Sequence, residues 1–194
     1  MQGGISHNSS FTLVYKSKKG GYMNQQLDFI FSRRSIRKFL DREVPDHMIQ
    51  DLLEAAMAAP SAVAKDPWHF IVLKERKTLD RLADVLPSGQ MLRQSTAAFV
   101  VCGDITQANL GHESYMLQDL SAATENILLA ANVLGLGTCW LGVHPRPERM
   151  EAVIHLFDLP AHIIPMCAIA IGWPKDPPPA RTRFNPDRIH RGKW

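Results

Sequence analysis

Gly135-Leu136-Gly137-Thr138-Cys139-Trp140-Leu141-Gly142 opens like the glycine-rich fingerprint of a dinucleotide-binding fold, and its surroundings argue against one. A phosphate-cradling turn of that kind follows a strand and starts a helix, because the helix N-terminus supplies the donors. Here the segment follows a helix and its third glycine is misplaced. Met116–Leu134 carries apolar residues at nearly all turns, so it reads as a central buried helix that Gly135 and Gly137 stop. Thr138–Leu141 then reads as a short strand, at whose end Leu141 and Gly142 can offer backbone donors to the edge of a ligand.

Helices and strands alternate on both sides of this segment. Downstream, a helix is expected over Pro147–Phe157 and an apolar strand over Ile164–Ile171, after which Pro174, Pro177, Pro178 and Pro179 force an extended path. Upstream, Ala97–Cys102 and Trp68–Leu73 read as strands and Lys77–Leu86 as a short helix. Pro45 and Asp46 signal the start of a helix whose Met48, Ile49, Leu52, Leu53, Ala56 and Met57 form one apolar face ending before Pro60. Leu27, Ile30 and Phe31 recur at helical spacing, and their helix is expected to run into the basic stretch Ser32–Lys38. No repeat and no boundary interrupts residues 23–173. The division is therefore a loose leader over 1–22, a core domain over 23–173, and an Arg-rich C-terminal arm over 174–194 that lacks the periodicity to bury itself and is expected to reach a partner subunit. Met23 is an alternative start.

At 194 residues with 45% apolar and 21% charged content, the chain fits one ordinary globular domain with tails and excludes wholesale disorder. Twenty-two Lys and Arg against 19 Asp and Glu give a formal charge of +3, too mild to argue for nucleic acid by itself. Its distribution says more: Arg33, Arg34 and Arg37 gather near the start and Arg181, Arg183, Arg188 and Arg191 near the end, so two remote clusters could meet at one anion. Cys102, Cys139 and Cys167 lie far apart in apolar runs, which suits buried thiols in a reducing cytoplasm and offers neither a disulfide framework nor a CxxC metal site. Phe11–Tyr15 is too short for a secretory core, and without secretion the Asn8-Ser9-Ser10 sequon has no meaning. Asp119 and Glu125 make Tyr115–Leu134 a costly membrane span, so no membrane role is expected.

Two further stretches carry chemistry. Ser32-Arg33-Arg34-Ser35-Ile36-Arg37-Lys38-Phe39 puts forked guanidinium donors and hydroxyls close together, as a phosphate cage needs, though taken alone it reads first as solvated basic surface. Ala59-Pro60-Ser61-Ala62-Val63-Ala64-Lys65-Asp66-Pro67-Trp68 has small residues that let a planar ligand approach the backbone, though taken alone it reads first as an ordinary helix-to-strand connection with a core Trp. The eight histidines lack HExxH spacing, and no serine sits in a GxSxG context. Side-chain acid, base and nucleophile chemistry is not advertised, which points to a cofactor.

Taken together, Arg33 to Arg37, the loop from Pro60 to Trp68, Gly135 to Gly142, and Ile171-Gly172-Trp173-Pro174 followed by Arg181 and Arg183 resemble the FMN-dependent nitroreductase family in content, order and spacing, over roughly residues 23–194. The resemblance implies an α+β fold with a mixed, mainly antiparallel central sheet flanked by helices. It also implies an intertwined homodimer with FMN at two interface sites. By the same resemblance Arg33, Arg34 and Ser35, with Arg181 and Arg183, match positions around the FMN phosphate, and Arg37 matches the cation beside the flavin N1–C2=O edge. Pro60, Ser61, Ala62 and Ala64 match the loop along the ring and ribityl chain, partly from the other subunit, and Leu141 and Gly142 match the backbone near N5. One departure stands out: where many relatives have Asn and Gln in this loop, the chain has Ala64 and Asp66.

The implied activity is an oxidoreductase taking hydride from NADH or NADPH through FMN to a nitroaromatic, quinone or similar small-molecule acceptor. No residue acts as catalyst in its own right; Arg37 tunes the flavin. Two other classes compete: a flavin-binding protein of low turnover, favoured by the missing amide at Ala64, and a basic nucleic-acid binder using the two arginine clusters.

Overall fold

The computed structural model describes residues 14–16 and 22–194, with side chains from position 26 onward. In chain order its elements are β1 (Val14–Lys16), β2 (Tyr22–Asn24), α1 (Asp28–Ser32), α2 (Asp46–Met57), β3 (Trp68–Leu73), α3 (Arg76–Val85), β4 (Ala97–Asp104), α4 (Glu113–Val133), β5 (Gly137–Gly142), α5 (Pro147–Phe157) and β6 (Ile163–Gly172). Most of the leader expected over residues 1–22 lies outside the described residues. Within them β1 and β2 pair antiparallel in a two-stranded sheet of their own.

The main sheet has the order β3-β4-β6-β5, and each neighbouring pair is antiparallel. Its mixed character comes from a parallel bridge between Ser35 and Thr138 on the outer edge of β5. β4 is buried along its whole length, as befits a strand covered on both faces. Period-2 alternation divides its side chains between two cores. Ala97, Phe99 and Val101 face α2 and α4, together with Cys167, Ile169 and Ile171 of β6. Ala98, Val100 and Cys102 face α3 and α5, together with Ala168 and Ala170. The sheet is thus sandwiched between two helical layers, an α+β arrangement.

α4 forms the spine of the first layer, burying Met116, Leu120, Ala123, Ile127 and Ala131 at helical spacing. α2 lies against it through Ile49, Leu52 and Ala56. α1 ends at Ser32 and buries no residue, so the expected continuation of this helix through Ser32–Lys38 is not found. The reason is tertiary: Ile36 N–H donates to the Thr138 carbonyl at 2.8 Å, and Ile36 and Phe39 bury their side chains, which an extended chain permits here and a helix does not. From position 175 onward the arm is exposed, with Trp194 at 98% exposure stacked only on His190.

Candidate functional site

The turn out of α1 builds the first part of the site. At Arg33 the backbone becomes extended (φ −57°, ψ 126°) and runs beside β5. Gly137 makes this close approach possible, since a Cβ there would lie 2.8 Å from Ile36 Cγ1. Because Ile36 points inward, Ser35 and Arg37 are exposed. Arg33 and Arg34 instead line a cavity of about 280 Å³ with Ser32, Asn132 and Gly135, roofed by Pro177, Pro178 and Ala180 of the arm.

No carboxylate lines that cavity; Glu125 of α4 pairs with Arg33 Nε nearby at 3.6 Å. Desolvation, then the positive charges of Arg181, Arg33 and Arg183, hold the Arg34 guanidinium below its usual range. The buried Arg34 Nε has no acceptor. Arg33 and Arg34 of the first cluster and Arg181 and Arg183 of the second are therefore near enough for their charges to act on one another. A cationic cavity with an unspent donor and no internal counter-ion is matched to an oxyanion such as a phosphate, whose oxygens accept forked guanidinium bonds.

The outer edge of β5 forms the second part. In an antiparallel strand the N–H and C=O of one residue point to the same side, and sides alternate along the chain. Val143 N–H bonds Met166 of β6 while the Thr138 carbonyl accepts from Ile36 outside the sheet. Leu141 therefore turns its backbone toward β6, and Gly142 presents its N–H outward. No atom lies within 4 Å of where a Gly142 Cβ would be, so a flat ligand can lie against the sheet face there, and Gly142 is exposed. The Gly142 carbonyl is taken by Arg149 Nη1 at 2.8 Å. Beyond it, His144 Nε2 lies 2.9 Å from Glu113 Oε1 at the start of α4. Arg37 follows the parallel bridge of Ser35 to Thr138, and its positive charge opposes the upward push of burial on the Cys139 thiol.

The loop between α2 and β3 is the third part, and it is tightly held. Ser61 Oγ donates to Asp66 Oδ1 at 2.5 Å, and Asp66 N–H donates back to Ser61 Oγ at 3.0 Å. Val63, Ala64 and Asp66 adopt φ of 55°, 51° and 48°. None is glycine, and left-handed backbone at a branched residue such as Val63 costs about 1–2 kcal/mol. Ala62 N–H donates to Asp119 Oδ1 at 2.8 Å. Asp119 Oδ2 is buried without a partner, a situation that costs about 1–3 kcal/mol. Lys65 borders an open cavity of about 650 Å³ whose other walls are Thr106 to Gly111.

Within one protomer these parts do not all meet. The arginine cavity and the Gly142 edge share β5, whereas the loop leads into β3 on the opposite edge of the sheet. Three interstrand spacings of about 4.8 Å separate those edges. Pro60 and Ala64 are exposed, and Ser61 and Ala62 are half-buried. Sequence reasoning missed Asp119, Arg149 and the His144–Glu113 pair, because each acts through a tertiary contact that leaves no local signature. Burial pushes Cys102 and Cys167 up to about 12, so neither is a reactive thiol. No group of metal-ligating side chains occurs among the described residues, and no helix among them is long and apolar enough to cross a membrane.

Known proteins are similar to this chain in sequence and in fold. The chain is 47% identical over 175 residues, 89% of its length and all of the relative's, to an Archaeoglobus fulgidus protein named as a candidate NADH dehydrogenase/NAD(P)H nitroreductase. A crystal structure from Parabacteroides distasonis with the same name matches with a TM-score of 0.82 at 40% identity, covering 89% of this chain and 100% of that one. A candidate nitroreductase from Desulfovibrio desulfuricans, crystallised in complex with FMN, matches with a TM-score of 0.76 at 29% identity, over 89% of this chain and 99% of that one. The nitroreductase family profile matches residues 30–101 and 86–173, which between them hold the extended arginine segment, the strained loop and the open β5 edge. With the fold, the order of the motifs and the match agreeing, the chain belongs to the nitroreductase family.

Proposed function

We propose that the protein is an FMN-dependent NAD(P)H oxidoreductase that passes electrons to a small-molecule acceptor. The observation that carries this is the arginine cavity, lined by no carboxylate, that adjoins an exposed strand edge: one end of that edge suits a phosphate, and the other offers the Gly142 N–H to a ring. The unspent Arg34 Nε and the open space at Gly142 fit FMN. A second phosphate and adenosine, as in FAD, have no matching fingerprint. The Desulfovibrio relative in complex with FMN and the Archaeoglobus relative's NAD(P)H name support the same reading.

Arg33, Arg34, Arg181 and Arg183 would hold the phosphate. Arg37, exposed along β5, would stand beside the ring edge where negative charge accumulates on reduction, and Gly142 N–H would donate to the ring. Bound FMN supplies the two-electron chemistry between NAD(P)H and the second substrate. The chain's own task is to fix the ring and leave one face open for each substrate in turn, so that proximity does most of the work. Because the loop from Pro60 to Ala64 lies on the far edge of the sheet, we infer that it completes the site of a second copy in a homodimer. The test is the visible spectrum of the purified protein and chromatography of the flavin released by heat. FMN is expected; FAD, or a colourless protein that ignores added FMN, would refute the reading.

A further inference from the structure

The flavin chemistry does not use Asp119, and the interior does not fully satisfy it. The residue sits on α4 with 5% of its surface exposed. Its Oδ1 accepts from Ala62 N–H at 2.8 Å, while its Oδ2 is buried and unpartnered. A side chain serving only the packing of α4 has no use for a desolvated carboxylate, because an apolar group of similar volume fills the space without that cost.

What Asp119 touches is a strained turn. Val63, Ala64 and Asp66 all lie in the left-handed region, and such backbone persists only where its surroundings over-determine it. The reciprocal Ser61–Asp66 bonds close the loop on itself. The Ala62–Asp119 bond ties the closed loop to the central helix. Ala62, Val63 and Ala64 carry no polar side chain and the Ser61 hydroxyl is bonded to Asp66, so between Ala62 and Ala64 the loop offers a ligand only its backbone groups. The aim of backbone groups is set by φ and ψ, and therefore by the tether.

We propose that Asp119 is a positioning residue, whose buried carboxylate holds the loop through Ala62 N–H in the course required for the flavin. This rests on the flavin reading of the loop given above. Asp119→Leu removes the acceptor at similar volume, and Asp119→Asn keeps an acceptor oxygen facing Ala62. Two quantities are measured: amide hydrogen exchange at Ala62 in the flavin-free protein, and the FMN dissociation constant by fluorescence titration.

In the Leu variant Ala62 exchange should accelerate, and the FMN dissociation constant should rise, each by about tenfold, the scale set by one lost hydrogen bond. In the Asn variant both should stay within about twofold of wild type, since the acceptor survives. A Leu variant with wild-type values, or an Asn variant as impaired as Leu, would overturn the proposal. Should the Leu variant not fold, wild type and Asp119→Asn decide: slow Ala62 exchange in both supports the tether, and fast exchange in folded wild type removes it. Failure of the flavin reading shows separately, as wild-type protein that protects Ala62 yet takes up no FMN.

Discussion

At the scale of single residues, the site separates functions that look alike in sequence. Arg34 lines the cavity proposed for the phosphate and feels the charge of Arg181, whereas Arg37 follows the bridge of Ser35 to β5 and its charge acts on Cys139. Arg181→Ala is therefore expected to weaken FMN binding with little change in the potential of whatever flavin is retained. Arg37→Ala should retain flavin but lower its potential and slow reduction by NAD(P)H, because a cation there favours the charge of the reduced form by about 1–3 kcal/mol. Equilibrium dialysis and dye-coupled redox titration of the two variants read these effects, and exchanged phenotypes would reverse the assignment. Ala64 is a second informative position. Its φ of 51° is one that Asn adopts more readily than other branched or bulky residues, so Ala64→Asn supplies a side-chain amide without straining the turn. FMN binding should tighten by up to roughly tenfold, the worth of one hydrogen bond. An unchanged constant in fluorescence titration would mean that a backbone group already makes the contact.

At the scale of elements, the sequence reading succeeded where one periodicity governs. α5 and β3 match their expected bounds, and α2 starts at the Asp46 signal. It failed at Ser32–Lys38, where the helical spacing of Leu27, Ile30 and Phe31 is real but the chain gains more by burying Ile36 and Phe39 against β5 and β6. The left-handed turn at Val63 was illegible for another reason: a branched residue predicts the opposite backbone, and the turn is held by the Ser61–Asp66 bonds together with the distant Asp119. The segment after β4 gives a pH-dependent case. Asp104 accepts from Thr106 Oγ1 at 2.6 Å, Thr106 N–H at 2.8 Å and Gln107 Nε2 at 2.7 Å. The Thr106 hydroxyl is the main cause holding its carboxyl near 2, with burial opposing and Gln107 assisting. A carboxyl depressed in the folded state stabilises above its unfolded value of about 3.9 and loses that contribution as pH falls toward the folded value. Asp104→Asn should therefore lower the melting temperature at pH 7 more than at pH 3, as read by calorimetry. An equal loss at both would show that the carboxylate's charge is not what matters.

At the scale of the whole molecule, one protomer holds the parts proposed to meet the flavin on elements that lead to opposite edges of one sheet. β5 carries the arginine cavity and the Gly142 edge, β3 follows the strained loop, and β4 and β6 lie between them. The arm that roofs the cavity continues as exposed chain bearing Phe184, Ile189 and Trp194, 72%, 50% and 98% exposed, which is apolar surface without a core of its own. A two-fold dimer resolves both features, since an isologous contact lets each loop reach the other copy's β5 edge and gives each arm a surface to cover. Composite sites make a prediction that independent sites do not. Combine Arg181→Ala in one chain with Asp119→Leu in the other, using two affinity tags to isolate the mixed dimer. If each site takes its cavity from one copy and its loop from the other, the mixed dimer contains one site with both lesions and one with neither. It should then bind about half the wild-type FMN at wild-type affinity, although both parent homodimers bind weakly. If cavity and loop served a site within the same copy, each site of the mixed dimer would carry one lesion and no wild-type affinity would reappear. Titration of the isolated mixed dimer separates the two, and absence of the tight half-stoichiometric phase would rule out the shared site.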